Sequence, residues 1–343
     1  MAQGDSPFRR TELAAGVTAY VQPTERFKTI ACKVFLRRPL TAETVTPTAL
    51  LPLVLRRGTA RLPSQLEIAR HLENLYGASF SADVIKIGEV QAVECYLEFA
   101  SDRFLPGQTR LLGDAIRFLS EVLLEPVLDG GCLRAEYVAQ EKEALRRKIE
   151  ALINDKRTFA VFRCFQEMCA GEPYSLHRYG RVDDLAAITP ATLTAHYRRM
   201  IQESPIDIFV VGAVDPDDVC AALKDAFGFS RSIAPLPPPA TRRAPRPART
   251  VIEEEDVKQG VLVLGYRLPV SYADDAYPAL LLYNGVLGGF PSSKLFVNVR
   301  EKASLAYFAY SRLEPTKGVQ YLSAGIDVAK YDAAREIIER QVA

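Results

Sequence analysis

The stretch VLGGFPSSKLFVNVREKASLAYFAY, residues 286–310, predicts a loop, a short helix and a strand, in that order. Gly288 and Gly289 interrupt regular periodicity at its start. Ser292 or Ser293 is suited to cap the helix that follows, because a serine hydroxyl accepts hydrogen bonds from the first unpaired N–H groups of a helix. A related pattern occurs earlier in the chain, so this stretch marks one of two similar units.

The helix end and the strand of this stretch each carry a polar side chain. Arg300 lies at the predicted end of the helix and Tyr307 lies in the strand. A guanidinium and a phenol are both hydrogen-bond donors that could converge on one developing negative charge. A surface arginine and a half-buried strand tyrosine are the simpler interpretation, and spacing alone favours it. The glycine pair either borders a substrate path, by allowing close backbone approach, or forms a simple turn.

The composition is that of a globular protein with room for two domains of ordinary size. The chain has 343 residues, of which 25% are charged and 48% are hydrophobic. Lysine and arginine number 43 against 42 aspartate and glutamate residues, which gives a net charge of +1. This balance offers no electrostatic argument for a nucleic acid or an anionic membrane as partner, and we expect neither.

Two features of the sequence bear on the cellular compartment. No run of 18 apolar residues occurs, and the first residues lack the apolar segment of a signal peptide. The six cysteines form no CxxC pair and have no histidine at metal-ligand spacing. We therefore expect reduced thiols and a cytoplasmic location.

The expected fold class is α+β, with two homologous halves that each hold a mixed, mainly antiparallel sheet with helices on one face. Alternating apolar residues predict early strands at 16–22 and 30–36. A helical period predicts a helix at 63–76, whose inward residues are Leu66, Ile68, Ala69, Leu72 and Leu75. Six prolines from Pro235 to Pro247, without an apolar period, predict an extended linker. The predicted domains are residues 1–229, a linker of residues 230–250, and residues 251–343.

The two halves share a sequence pattern. Residues 54–82 parallel residues 286–311, and residues 95–116 parallel residues 321–342. The first half continues well beyond its copy, whereas the second ends within a predicted helix. We therefore expect the sequence to be a fragment whose second domain is incomplete at its C-terminus, lacking helices and a last strand.

Four short motifs of the opening stretch carry a family resemblance. They are Leu287-Gly288-Gly289, Ser293-Lys294-Leu295-Phe296, Val299-Arg300-Glu301-Lys302 and Leu305-Ala306-Tyr307. They resemble the second-half signature of the insulinase/pitrilysin-like zinc metallopeptidases, and the similarity runs from about Leu13 to the last residue. It implies two halves that face each other around a peptide-sized chamber. It also implies that Arg300 and Tyr307 hold the substrate and its oxyanion, with Gly288, Gly289 and Ser293 in substrate binding.

The metal-binding pattern of that family is absent. Active members carry HxxEH on a first-half helix, where two histidines bind zinc and the glutamate is the general base. Matching Arg57-Gly58-Thr59 to the Lys-Gly-Thr that follows this motif places its five positions on Ala49, Leu50, Leu51, Pro52 and Leu53. The third ligand, a glutamate, falls on Lys148, near Glu141, which matches another acid of the pattern. We therefore expect no metal and no other cofactor in this chain.

No other part of the sequence suggests a replacement site. His71, His177 and His196 include no pair at i, i+4 spacing, and each is more simply a structural histidine. No serine or cysteine nucleophile motif is present. The acidic run 253–256 indicates either a basic partner, with the arginine-rich linker as one candidate, or a solvated approach to a strand.

The resemblance predicts the non-catalytic subunit of a heterodimeric zinc peptidase, similar to the inactive partner subunits of bacterial members. It would present Arg300 and Tyr307 to a paralogous subunit that carries HxxEH and the zinc, and the substrate would be a peptide or unfolded polypeptide. The alternative, from another class, is a catalytically inactive scaffold or peptide-binding protein with no role in proteolysis. A zinc peptidase acting alone is disfavoured by the degenerate metal positions.

Overall fold

The computed structural model describes residues 7–106, 110–238, 240–241, 243–255 and 259–342. The chain forms two compact units. The N-terminal unit holds the described residues of Gln3–Ile149 and His177–Pro237, and the C-terminal unit holds those of Glu150–Leu176 and Pro238–Ala343.

The elements alternate between strands and helices along the chain. The strands are β1 (Arg9–Ala14), β2 (Val17–Pro23), β3 (Thr29–Pro39), β4 (Ser79–Ile87), β5 (Val90–Ala100), β6 (Leu128–Asp129), β7 (Cys132–Leu133), β8 (Ile206–Gly212), β9 (Gly260–Arg267), β10 (Ala306–Glu314) and β11 (Val319–Ile326). The α-helices are α1 (Val45–Leu55), α2 (Gln65–Asn74), α3 (Leu112–Leu124), α4 (Ala135–Glu150), α5 (Lys156–Met168), α6 (Pro190–Glu203), α7 (Pro216–Phe227), α8 (Tyr277–Asn284) and α9 (Tyr331–Val342). Within the described ranges, none of these helices has the length and apolar character needed to cross a bilayer.

The N-terminal unit is built on a six-stranded sheet in the order β1-β2-β8-β3-β5-β4. The β2–β8 pair is parallel and the other pairs are antiparallel, so the sheet is mixed, as predicted. Every second residue of β3 is buried over most of its length, because successive side chains of a strand point to opposite faces. The strands predicted at 16–22 and 30–36 are confirmed as β2 and β3.

Helix α1 lies inside the core of this unit. All of its residues except Pro47 are buried, which agrees with a sequence that is apolar on every face. Pro52 lies within the helix, so the carbonyl one turn earlier receives no N–H from it. A helix of this composition has no face suited to solvent.

The predicted inward face of α2 is partly wrong. Ile68 and Leu75 are buried, but Leu66 is 60% exposed and Ala69 is also exposed. At 100° per residue, Leu66 lies about 200° around the helix from Ile68, so one face cannot bury both. The apolar residues Leu66 and Ala69 therefore face solvent.

The C-terminal unit contains a three-stranded antiparallel sheet in the order β10-β11-β9. The strands β4-β5-β3 of the N-terminal unit have the same order and the same antiparallel pairing. This shared topology agrees with the repeat predicted from the sequence. Together the two mixed helix-and-strand units confirm the α+β class.

Helix α5 belongs to the C-terminal unit, whereas the sequence assigned its residues to the first domain. All eight residues of β11 are buried, because both faces of this strand are covered. On one face, Leu322, Ala324 and Ile326 belong to a hydrophobic cluster that includes residues of α9. On the other face, Tyr321 packs against Phe165 of α5. A Cβ atom on Gly265 of β9 would lie 2.9 Å from Met168 Sδ of α5, so the helix and sheet approach closely.

The predicted linker follows α5 in the reverse direction. No helix or strand lies in the described residues between α7 and β9. Within the linker, Arg246 binds the Ala170 carbonyl just beyond α5, and Arg249 binds Glu167 of the helix. Past the linker, Glu253 binds Arg163 of α5 and Glu255 binds Lys156. The acidic run therefore has basic partners in α5 of the same chain; its last residue, Asp256, lies outside the described residues.

Candidate functional site

The region around Arg300 and Tyr307 consists of two π-helical turns and strand β10. The turns are Gly285–Gly289 and Phe296–Lys302, so the short helix predicted from the sequence is present in the wider π form. Such turns are rare and occur frequently at functional sites. Ser304, between the second turn and the strand, has φ +52°, a left-handed conformation that few non-glycine residues adopt. Unusual backbone of this kind also concentrates at functional sites.

The two glycines of the first π turn differ in how closely they are packed. A Cβ atom on Gly288 would lie 2.4 Å from the backbone nitrogen of Ser311 in β10. Only glycine lets the turn approach the strand this closely. A Cβ atom on Gly289 would lie 3.2 Å from the carbonyl oxygen of Asn284, which a small adjustment relieves. Gly288 thus has a packing role, and the predicted role of both glycines in substrate binding stays a prediction.

Ser293 caps the helical stretch, beginning at Lys294, that leads into the second π turn. Its side-chain oxygen accepts a hydrogen bond from the Phe296 backbone N–H at 3.4 Å, and the residue is only 2% exposed. The predicted helix cap is therefore confirmed at Ser293. Its predicted role in substrate binding stays a prediction, and its hydroxyl is already engaged within the turn.

Arg300 and Tyr307 are both exposed on the C-terminal unit. The Arg300 guanidinium lies over the ring of Phe296, 4.6 Å from its centroid, and Tyr307 is 60% exposed. Within the described part of the chain, neither side chain has a hydrogen-bond partner or a carboxylate partner. Two unpaired donors are thus accessible from solvent, with the arginine oriented by an aromatic ring.

The positions that match HxxEH lie in α1 and are part of the hydrophobic core. They are Ala49, Leu50, Leu51, Pro52 and Leu53, and all five are buried. The preceding residue, Thr48, shares a hydrogen bond of 2.9 Å with His196 Nε2 of α6. The helix that matches the metal-binding helix of active relatives is therefore a packing element here.

An ion pair occupies the position of the third metal ligand. Lys148 Nζ lies 2.8 Å from Asp83 Oδ2 of β4 and 4.1 Å from the ring centroid of Tyr179. The Tyr179 hydroxyl donates to the same Asp83 oxygen at 3.3 Å. Burial acts to raise the pKa of Asp83, but hydrogen bonds from Lys148 and from the Val84 N–H lower it overall. Sequence reasoning identified Lys148 but not Asp83 or Tyr179, because both are distant from it along the chain.

These residues do not fit a metal ion. Glu141, the acid retained on α4, is buried and pairs with Arg57, whose Nη1 lies 3.3 Å from Glu141 Oε1. Among the residues that the structure describes, no three or more histidine, cysteine, aspartate or glutamate side chains are grouped to hold a metal. Zinc takes three or four such ligands, so no step of zinc chemistry is assigned to these described residues.

The three histidines have separate structural environments. The His71 ring packs against Phe118 with 5.3 Å between centroids, and burial lowers its pKa. His177 Nδ1 accepts a hydrogen bond from the Tyr179 backbone N–H at 3.2 Å. Burial lowers the pKa of His177 and of His196 to about 4, so both rings are neutral at pH 7. The prediction that they are structural agrees with these contacts.

Comparisons with known proteins agree with this geometry. Residues 187–343 match a family model described as the peptidase M16 inactive domain. The chain is 42% identical over 327 residues to the probable inactive metalloprotease YmfF of Bacillus subtilis, covering 95% of this chain and 76% of that protein. A solved structure of a conserved protein from Enterococcus faecalis has a TM-score of 0.87 at 32% identity, covering 98% of this chain and 79% of that one. The peptidase M16 inactive domain from Pseudomonas fluorescens has a TM-score of 0.80 over 98% of this chain and 78% of its own; at 19% identity it shows likeness of fold alone.

Proposed function

The chain belongs to the peptidase M16 family as an inactive member, and on that premise we propose that it is the non-catalytic subunit of a heterodimeric zinc peptidase. The partner is a paralogous subunit that carries HxxEH, the general base and the zinc. This chain contributes Arg300 and Tyr307 to the binding of a peptide substrate and to the stabilisation of its transition state.

One observation carries the proposal. Two hydrogen-bond donors, Arg300 and Tyr307, are exposed and have no partner in the described residues, and the backbone between them includes π-helical and left-handed conformations. An idle arginine has no need of an unusual backbone, whereas a donor that must meet a developing charge needs a fixed position.

The two side chains suit the stabilisation of an oxyanion. A guanidinium stays protonated at any working pH, and a phenol donates one hydrogen bond. Donors aimed at the charge that develops on a peptide carbonyl oxygen stabilise the transition state more than the ground state. No metal step is assigned to this chain, because its residues at the family's ligand positions cannot bind zinc.

The test is a peptide-cleavage assay with the HxxEH-bearing paralogue of the same organism, alone and mixed with this chain. We expect cleavage to require both chains. Arg300→Ala should lower the kcat of the mixture by two to three powers of ten, because removal of one oxyanion donor typically costs about 3–4 kcal/mol. Tyr307→Phe removes only the hydroxyl and should also lower kcat.

Lys302→Ala is the matched control. Lys302 is an exposed cation in the same π turn, and it is not assigned to the site. This variant should keep the activity of the wild-type pair. Normal kcat with Arg300→Ala would exclude the proposed role of the arginine, and cleavage by the paralogue alone, unchanged by this chain, would exclude the subunit role altogether.

A second candidate function is a scaffold or peptide-binding protein with no role in proteolysis. Helix α8 and the turn after it support this function. No residue of α8 is buried. Large apolar side chains are exposed there, at Leu281, Leu282, Tyr283, Val286 and Phe290. Large apolar side chains exposed close together along the chain suit the binding of another protein. If this function is the right one, the chain should slow the aggregation of an unfolded polypeptide equally well with and without Arg300→Ala.

A further inference from the structure

Lys148 lies in a cluster of basic side chains around Tyr179 of the N-terminal unit. The Lys148 ammonium and the Arg178 guanidinium both contact the Tyr179 ring, at 4.1 and 4.8 Å from its centroid. The His177 ring is 5.2 Å from the same centroid. The residues come from α4 and from the loop after α5, so the fold brings them together.

The cluster has an excess of positive charge. Among the described residues, Asp83 is the carboxylate that contacts this cluster: it pairs with Lys148 and accepts a hydrogen bond from the Tyr179 hydroxyl. Arg178 is exposed and forms no ion pair within 4.0 Å in the described residues, although its charge helps to lower the pKa of Asp83. Burial is the main cause that lowers the pKa of His177, and the nearby cations Lys86, Arg178 and Lys148 lower it further. His177 is therefore neutral at pH 7, and the positive charge of the cluster comes from Lys148 and Arg178.

The loop that carries Arg178 is fixed in place. The Arg178 carbonyl oxygen accepts a hydrogen bond of 2.7 Å from Gln91 Nε2, and the same nitrogen also donates to the Val45 carbonyl at the start of α1. Gly180 has φ +74°, and a Cβ atom there would lie 2.7 Å from Thr46 Cα, so the loop lies directly on α1. A cation held on a rigid support loses less entropy on binding than one on a free loop.

We propose that Lys148 and Arg178 form a binding site for a carboxylate group of a peptide. The ammonium has three N–H donors, so donors remain beyond the one bonded to Asp83, and the guanidinium can bind a carboxylate through two parallel hydrogen bonds. The site is open, since the Lys148 and Asp83 side chains are 37% and 41% exposed. The inference rests on the proposed peptide-binding function, and it names the chemistry that the peptide must carry.

The chemistry favours a single negative charge over a double one. The Asp83 carboxylate lies 2.8 Å from Lys148 and would repel a phosphate dianion more strongly than a carboxylate. The carboxylate can come from the C-terminus of a peptide or from a glutamate side chain. Both present the same planar group, so the experiment uses peptides that differ in one of these groups at a time.

The test measures peptide affinity by fluorescence anisotropy with a labelled ten-residue peptide. Three matched forms are compared: one with a free C-terminal carboxylate, its C-terminal amide, and the amide with one glutamine changed to glutamate. An exposed ion pair is worth about 0.2–1 kcal/mol, so the wild type should bind at least one carboxylate form up to about fivefold more tightly than the neutral form. Arg178→Gln should reduce this preference, and it leaves the Asp83–Lys148 pair in place.

Lys148→Gln is the second variant and Arg70→Gln is the control. Lys148→Gln should also reduce the preference for the carboxylate forms. Arg70 is an exposed arginine of α2, so Arg70→Gln makes the same charge change away from the cluster and should keep the wild-type preference. The circular dichroism spectrum of each variant shows whether it is folded. If Lys148→Gln is unfolded, the carboxylate site is tested by Arg178→Gln alone.

Each result has a distinct meaning. Equal binding of the acidic and neutral peptides by the wild type overturns the carboxylate site and leaves the peptide-binding function standing. Absence of binding by every peptide overturns both proposals. Displacement of the peptide by inorganic phosphate, but not by the same concentration of acetate, would assign the cluster to phosphate and also overturn the inference.

Discussion

Gly288→Ala should destabilise the C-terminal unit by about 2 kcal/mol. The added Cβ atom would lie 2.4 Å from Ser311 N, 2.7 Å from Ser311 Oγ and 2.8 Å from Leu295 Cδ1. Non-bonded atoms pack at roughly 3.5–4.0 Å, so the π turn and β10 must separate by about 1 Å. The nearest atom belongs to the backbone, and a side-chain rotation cannot relieve the contact. Forcing an extra methyl group into a well-packed core typically costs about 1–3 kcal/mol.

The assay is urea unfolding followed by circular dichroism, since the chain has no tryptophan. With an m value of about 2 kcal/mol/M, the midpoint for Gly288→Ala should fall by about 1 M. Gly289→Ala is the control, because its Cβ atom would lie 3.2 Å from the Asn284 carbonyl oxygen and needs only a small shift. An unchanged midpoint for Gly288→Ala would refute the argument from close approach. Equal losses in the two variants would refute the distinction between the glycines.

Two further predictions concern buried and half-buried charges. Glu172 is buried against Arg267 and Lys317, with 2.8 Å between Lys317 Nζ and Glu172 Oε2. Glu172→Gln leaves these buried cations without their carboxylate, so it should lower the free energy of unfolding, measured with urea at pH 7, by about 3–5 kcal/mol. Burial acts to raise the pKa of Glu172, but these cations lower it overall below 4.5. The difference in unfolding free energy between wild type and Glu172→Gln should therefore be complete above about pH 4.5 and shrink as the pH falls through the folded-state pKa. Lys148→Glu should destabilise the N-terminal unit, because it places a second carboxylate against Asp83, and it should not create a zinc site. Zinc bound in stoichiometric amount, measured by elemental analysis, would contradict the conclusion that the other ligand positions cannot hold metal.

The sequence predicted those elements whose signals are local. A threonine followed by a proline is a local signal for a helix start, and α6 begins at Thr189-Pro190 with a capping box in which the Thr189 side chain accepts from the Thr192 N–H. The alternation in β3 predicted a strand with one buried face. Both signals depend on residues within a few positions of one another, so one sequence is sufficient to find them.

The sequence did not predict features that depend on distant partners. Nothing within Lys156–Met168 indicates that α5 packs on β9 and β11 rather than on the sheet nearer in sequence. The π form of the turn at Phe296–Lys302 also depends on packing, since its apolar spacing is that of an ordinary helix. For the site, the loss of metal ligands followed from residue identity alone, whereas the pairing of Lys148 with Asp83 required the fold.

The two regions that resemble parts of a peptidase site differ in what their burial allows. In the N-terminal unit the ligand positions of α1 are filled by apolar side chains of the core. Replacing Ala49 and Leu53 with histidines would overpack that core and bury imidazole groups, which is unfavourable unless each finds a hydrogen-bond partner. In the C-terminal unit Arg300 and Tyr307 are exposed, so packing does not fix their identity. An effect of Arg300→Ala on kcat without an effect on the free energy of unfolding would therefore locate the function of this chain outside its core.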